Sequence, residues 1–355
     1  MVVPNKYYEM LSYEERICYD QIYSSIIAHS NCTISGARVE DVYTAYKLVT
    51  FDYPELIYHP GLLQRLQVTS NSINVLITYS TSDELEYNEA LTKIIQKLWN
   101  KITYATSDYE KYKIIYDYLT STIKYDEDVL DEYMEILSQK DNRGYIGNQF
   151  NAEDNEIAIK TVEFINAYSE CFTPYGVIVK GRGVCMGIAK AYKVLCDYFG
   201  LPCICVEAKD KESNVEHLLN IVQLDGEYAF VDATYGLVCE ALPMHNYDLF
   251  MVSRETIDKF YNLTYDFDCR NEELSYHSRN NLVFEEVADL RRYLEAFNAE
   301  FNDEIRARYV GALLDDKDLD DFVIEVIRYH LSSKKKIQDM AKTRNGFINM
   351  LLCDN

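Results

Sequence analysis

The feature that most constrains this chain is a pair of β-rich runs, His217–Leu224 and Tyr228–Thr234, separated by little more than Asp225-Gly226. Asp-Gly signals a two-residue hairpin turn, because the favoured tight turns need φ above zero at their central positions. A two-residue loop pairs Leu224 with Glu227, and by the same register Leu219 with Asp232 and His217 with Thr234. Side chains alternate between the faces of a strand, so His217, Leu219 and Asp232 share one face. Asp232 is then the diagonal neighbour of His217, about 7 Å away by backbone and within side-chain reach. A carboxylate there can hold an imidazole in one tautomer while the other ring nitrogen serves a thiol. A four-residue loop about the same centre keeps this register, whereas a three-residue loop puts the two side chains on opposite faces. The other histidines, His29, His59, His245, His277 and His330, have no carboxylate in a comparable register.

Upstream, Ile188, Ala191, Tyr192, Leu195 and Phe199 repeat at helical spacing, and Gly200-Leu201-Pro202 closes the run. Gly176, Gly181 and Gly183 read as a loop before a helix over 184–199. Cys185 stands at the start of that helix, where unpaired N–H groups and the positive end of the dipole favour a thiolate. Lys180, Arg182, Lys190 and Lys193 surround it in sequence, with no acid before Asp197. Cys185 also precedes Ile188 by three residues, the place of a buried structural cysteine. The hairpin is what singles it out as a nucleophile.

The rest of the chain organises around this segment. Helices are expected over 11–29 and 39–50, the second stopped by Phe51-Asp52-Tyr53-Pro54, since the residue before proline avoids the α region. A short strand is expected over 73–79, and helices over 84–104 and 109–124. The stretch 126–163 reads as an acidic insertion, and 262–282 as a polar linker. Beyond it come helix 285–299, strand 303–310, helix 317–331 and strand 346–353. These patterns divide the chain into a mainly helical N-terminal region with a short strand (1–106), a core (107–262) and a small α/β C-terminal domain (283–355). The fold class is α+β.

Charge narrows the partners. Lys plus Arg is 35 and Asp plus Glu is 58, a net charge of −23. Such a surface repels nucleic acid and anionic membranes. The ten cysteines form no Cys-x-x-Cys pair, so zinc is not expected, and most read as small buried hydrophobes in a reducing, cytoplasmic setting. No basic start precedes an apolar core, and no window reaches the 18 apolar residues of a membrane span. Tyrosine is abundant, 32 against 14 Phe and 1 Trp. Being spread along the chain, it reads as bulky core, with a sticky binding surface as the sharper alternative.

The strings Gly181-Arg182-Gly183-Val184-Cys185-Met186-Gly187, His217-Leu218-Leu219-Asn220, Asp225-Gly226-Glu227-Tyr228 and Val231-Asp232-Ala233-Thr234 together resemble the transglutaminase-like superfamily core of bacterial type. Tyr109–Asp126 is similar to the helix preceding that core, and Asp52-Tyr53-Pro54-Glu55-Leu56 to a segment further upstream. The resemblance implies a papain-like fold, with a nucleophile helix packed on an antiparallel sheet, and the triad Cys185, His217 and Asp232. It implies a peptidase, amidase or transglutaminase acting on a protein or peptide substrate, without cofactor or metal. Two positions depart from the family: Leu219 stands where Trp is usual, and Met186 where many bacterial members have Gln. These departures motivate a second reading, a non-catalytic module that keeps the fold and binds a protein or peptide.

Overall fold

The structure is a computed structural model and describes residues 6–56, 66–68, 72–77, 79–132, 135, 169–238, 243–297, 303–330, 335–340 and 344–354. Most of the insertion expected over 126–163 lies outside the described residues; 127–132 are helical. Helix and sheet are mixed throughout. The chain forms two compact units, Met1–Ala208 with Glu216–Ile221, and Lys209–Val215 with Val222–Asn355.

In the first unit, α1 spans Lys6–Met10, α2 Tyr13–Ile27 and α3 Val39–Asp52. Helix α2 starts in a capping box: the Ser12 hydroxyl accepts from the Glu15 N–H, and the Glu15 carboxylate accepts from the Ser12 N–H. Helix α3 ends before Pro54, as expected. Strands β1 (Cys32–Ser35), β2 (Leu66–Val68) and β3 (Ser72–Val75) make an antiparallel sheet in the order β1-β3-β2. Only β3 was foreseen, because runs of three or four residues carry no readable period. Helices α4 (Thr81–Tyr104) and α5 (Asp108–Thr122) start at Ser80 and Ser107, whose hydroxyls accept N–H groups of the first turn. Their buried faces are the apolar stripes of the sequence, Ile94, Ile95, Leu98 and Ile102 on α4 and Tyr112, Ile115, Tyr116 and Leu119 on α5.

The glycine-punctuated segment is not a plain loop. Residues Pro174–Lys180 form α6, with proline in its first turn and Gly181 at φ +70° as its left-handed cap. At seven residues it is too short for a helical period to show. After β4 (Lys124–Tyr125) and β5 (Arg182–Gly183), which pair in parallel, comes α7, Cys185–Tyr198. Gly176 and Gly187 are needed for close approach: a Cβ on Gly176 would meet the Glu170 carbonyl oxygen at 2.4 Å, and one on Gly187 the Cys171 carbonyl oxygen at 2.4 Å. The turn at 169–172 is thus pressed against the first turn of α7, and the Val184 N–H donates to the Cys171 carbonyl at 3.0 Å. Strands β6 (Cys203–Asp210) and β7 (Glu216–Leu224) are hydrogen-bonded neighbours.

In the second unit, the chain leaves β7 through Asp225-Gly226, with φ of 53° and 87°, and enters β8, Glu227–Val231. This is the two-residue turn that the sequence predicts. Strand β8 pairs antiparallel with β9 (Phe250–Val252). Helix α8 (Arg254–Ile257), β10 (Tyr261–Leu263) and α9 (Tyr276–Arg279) follow. The polar stretch 262–282 is therefore no linker: Phe267, Cys269, Leu274, Ser275 and His277 are buried. Its apolar residues are too scattered to show a period, and side-chain bonds hold much of the region. Buried Arg308 pairs with Glu272 and donates to Thr256 Oγ1 at 2.8 Å. The C-terminal stretch contains β11 (Val283–Phe284), α10 (Val287–Ala296), β12 (Glu304–Tyr309), α11 (Asp316–His330), β13 (Lys335–Met340) and β14 (Phe347–Asp354). The sheet order is β11-β12-β14-β13, and Leu290, Leu294, Leu319, Val323 and Ile348 fill the core beneath it.

A buried pair in this unit sets a pH dependence. His277 is fully enclosed, neither ring nitrogen has a hydrogen-bond partner among the described residues, and Nε2 lies 3.8 Å from Asp248 Oδ1. Burial, then the Arg308 and Arg306 charges, pull its pKa down to about 3. Burial pushes Asp248 up to about 6, against hydrogen bonds from Asn349 and Asn246. Below pH 6.5 the unfolded chain protonates its histidine while the folded chain does not, so His277 destabilises the fold as pH falls towards 3. Asp248 acts oppositely: between pH 6 and 3.8 the folded chain takes up the proton first and gains stability. From pH 7.5 to 5, His277 costs about 2 kcal/mol and Asp248 returns about 1 kcal/mol. Urea denaturation should show His277→Leu becoming more stable relative to the natural chain on going from pH 7.5 to 5, and Asp248→Asn becoming less stable. Equal pH profiles for the two variants would contradict this placement.

Candidate active site

Cys185 is the first residue of α7, and its N-cap, Val184, offers no side-chain acceptor to the first-turn N–H groups. The thiol is half-buried, and Cys185 Sγ lies 4.0 Å from the backbone oxygen of Glu216, the carbonyl that leads into His217. The structure thus brings Cys185 to the start of the strand carrying His217, itself half-buried. Asn220 holds helix and strand together. It is fully buried on β7, and its Nδ2 donates to the Ala189 carbonyl of α7 at 3.0 Å and to the Ile204 carbonyl of β6 at 3.4 Å. Asn220 stood in the sequence string beside His217, but nothing local to it reveals a bond to a residue 31 positions earlier.

The basic neighbourhood of Cys185 in sequence does not become a basic field around the thiol. Lys180 pairs with Glu86 at 3.4 Å and Arg182 with Asp126 at 3.2 Å. Lys193 is buried, held by Asp197 at 2.6 Å and by the Cys203 carbonyl at 3.0 Å. Lys190 is buried with its nitrogen 5.5 Å from the centre of the Phe51 ring, and burial pulls its pKa down to about 8. Each cation is committed to a partner or to the interior. What remains of the features the sequence offered is the place of the thiol at the helix terminus.

Asp232 belongs to the second unit and is fully buried one residue past β8. Its Oδ1 accepts from the Thr234 and Tyr235 N–H groups at 3.0 and 3.1 Å, and its Oδ2 from the Tyr261 hydroxyl at 2.7 Å. The two backbone bonds explain why the strand ends at Val231, short of the expected Thr234: the carboxylate captures the N–H groups that would otherwise extend the ladder. Burial, then the Asp232 charge, hold the Tyr261 phenol far above its ordinary pKa, so it stays a donor. Sequence reasoning missed Tyr261, 29 residues from Asp232, because no motif joins them. Leu219 is buried and Met186 half-buried. Among the described residues, no group of three or more His, Cys, Asp or Glu is placed to hold a metal ion, and no helix is long and apolar enough to cross a membrane.

The sequence matches no protein-family model and no curated protein. Solved structures similar to parts of the chain include the following three. A TGase shares 15% identity over 51% of this chain and 46% of its own, with a TM-score of 0.33. A candidate cysteine protease from Cytophaga hutchinsonii shares 12% over 47% of this chain and 52% of its own, at 0.26. A candidate protease from Parabacteroides distasonis shares 10% over 81% of this chain and 55% of its own, at 0.21. The chain spans about half the length of each, and TM-scores this low do not establish a family.

Proposed function

We propose that this chain is a thiol enzyme acting on peptide or carboxamide bonds. Cys185 attacks the carbonyl carbon, His217 accepts the thiol proton and returns it to the leaving amine, and Asp232 orients His217. The Cys185 N–H, at the helix start, is the natural donor to the tetrahedral oxyanion. The thioester then passes to water, giving a carboxylic acid, or to a primary amine, giving a new amide. The observation carrying this reading is the contact of Cys185 Sγ with the carbonyl that leads into His217. The two-residue turn at Asp225-Gly226 supports the register in which Asp232 is the diagonal neighbour of His217.

The test is a peptide and carboxamide panel incubated with the full chain, with and without a fluorescent primary amine, and read by mass spectrometry. Conversion of amide to acid identifies a hydrolase, and incorporation of the amine a transglutaminase. A panel left unmodified by the natural chain, together with a Cys185 no more reactive than Cys353, would favour the non-catalytic binding module.

A further inference from the structure

We propose that the groove between α4 and the C-terminal end of α7 binds a neutral oligosaccharide, with Trp99 and Tyr198 as its aromatic platform. Cys185 stands at the other end of α7, about 20 Å away along the helix, so this site is separate from the thiol chemistry. The groove has a volume of about 590 Å³, within the range of about 300–1,000 Å³ usual for ligand sites. Its α4 wall is one stripe at helical spacing. Asn88, Thr92, Gln96 and Asn100 recur every fourth residue, and Leu91, Ile95 and Trp99 run beside them. The stripe is about 18 Å long, which suits a chain of sugars better than a single ring. Tyr198, the last residue of α7, forms the opposite side.

No residue lining the groove is charged, in a chain of net charge −23. The charged row Glu89, Lys93, Lys97 and Lys101 lies about 100° further around α4. The lining therefore offers no ion pair to a phosphate, a carboxylate or an ammonium. Trp99 is 52% exposed and Tyr198 54%. Phe199 braces both rings, its centroid 6.4 Å from that of Trp99 and 5.3 Å from that of Tyr198. Two large aromatics held half in water suit a ligand that is apolar on its ring faces and polar at its edge, as a pyranose is. The side-chain amides of Asn88, Gln96 and Asn100 make no hydrogen bond among the described residues. An amide both donates and accepts, as a sugar hydroxyl does. Thr92 gives its proton to the Asn88 carbonyl at 2.7 Å and keeps its oxygen as an acceptor. Asn and Thr are also poor helix formers, so helix stability does not account for this row.

Trp99 is the only tryptophan of the chain, so its emission reports the groove directly in the full-length protein. Cellotetraose, maltotetraose and triacetylchitotriose are titrated to about 10 mM, above the ~1 mM constants of weak ligands, with tetragalacturonate as the anionic counterpart. At least one neutral sugar should shift the emission to shorter wavelength and saturate, and calorimetry should give the same constant. Tetragalacturonate should bind at least about tenfold more weakly at low salt. Trp99→Ala should weaken binding by calorimetry about tenfold, Trp99→Phe less because a ring remains, and Gln96→Ala about threefold. Tyr104→Ala, which removes an 82% exposed aromatic of α4 outside the groove, should change nothing. Failure of all three neutral sugars, equal binding of tetragalacturonate, or binding that neither Trp99→Ala nor Gln96→Ala weakens overturns the proposal. So does an emission maximum that moves with protein concentration alone, which would assign the groove to a second copy of the chain. Each of these results leaves Cys185 as nucleophile untouched.

Discussion

Cys185→Ala is expected to lower turnover of any peptide or carboxamide substrate by about 10⁴-fold or more while the chain stays folded, because a thioester cannot form without the sulfur. Binding of the substrate should survive, since the thiol contributes little contact area. His217→Ala should approach the same loss, because residues acting as one unit are not additive. Asp232→Asn and Tyr261→Phe should lose less, the second least, since Tyr261 acts by holding Asp232, through a bond at 2.7 Å.

Thiol chemistry gives an independent reading of the same prediction. Of the nine described cysteines, none of which forms a disulfide with another, only Cys185 and Cys353 are not buried. Burial, then the adjacent Asp126, push Cys171 up to about 12, and burial raises Cys18, Cys32, Cys203 and Cys205. Iodoacetamide near pH 8 should therefore modify Cys185 and Cys353 ahead of those five. Activity should fall in step with Cys185 alkylation only. His217→Ala should slow alkylation at Cys185 and leave Cys353 unchanged; equal effects at both would remove His217 from the mechanism.

Gly187→Ala should destabilise the chain by about 1–3 kcal/mol, although alanine is ordinarily the better helix residue by about 1 kcal/mol. The reversed sign has a geometric cause. The new Cβ would stand 2.4 Å from the Cys171 carbonyl oxygen and 3.0 Å from that of Thr173. Both are backbone atoms, so no rotamer relieves the clash, and either α7 or the turn before α6 must move. Because Cys185 lies two residues away in the same turn, activity should fall further than stability alone explains. Gly181→Ala is the control: nothing lies within 4 Å of its Cβ, and only its φ of +70° opposes substitution. That variant should cost about 1 kcal/mol and leave activity in place. A Gly187→Ala chain as stable and active as the natural one would refute the close approach.

The features legible in the sequence are those whose causes lie within a few residues. The apolar stripe of α7, the stop of α3 before Pro54 and the Asp225-Gly226 turn each follow from side-chain periodicity, proline sterics or turn chemistry. Cys185 at a helix start and His217 on a strand were readable for the same reason. Only the tertiary structure decided what surrounds them. The local run of cations became separate pairs with Glu86, Asp126 and Asp197 and a lysine against Phe51. Asn220 reaches Ala189, Tyr261 reaches Asp232, and the supposed linker is held partly through Glu272 and Arg308, 36 positions apart. A buried polar group takes whichever partner packing delivers, and that choice depends on elements distant in the chain, so no local period or turn signal encodes it.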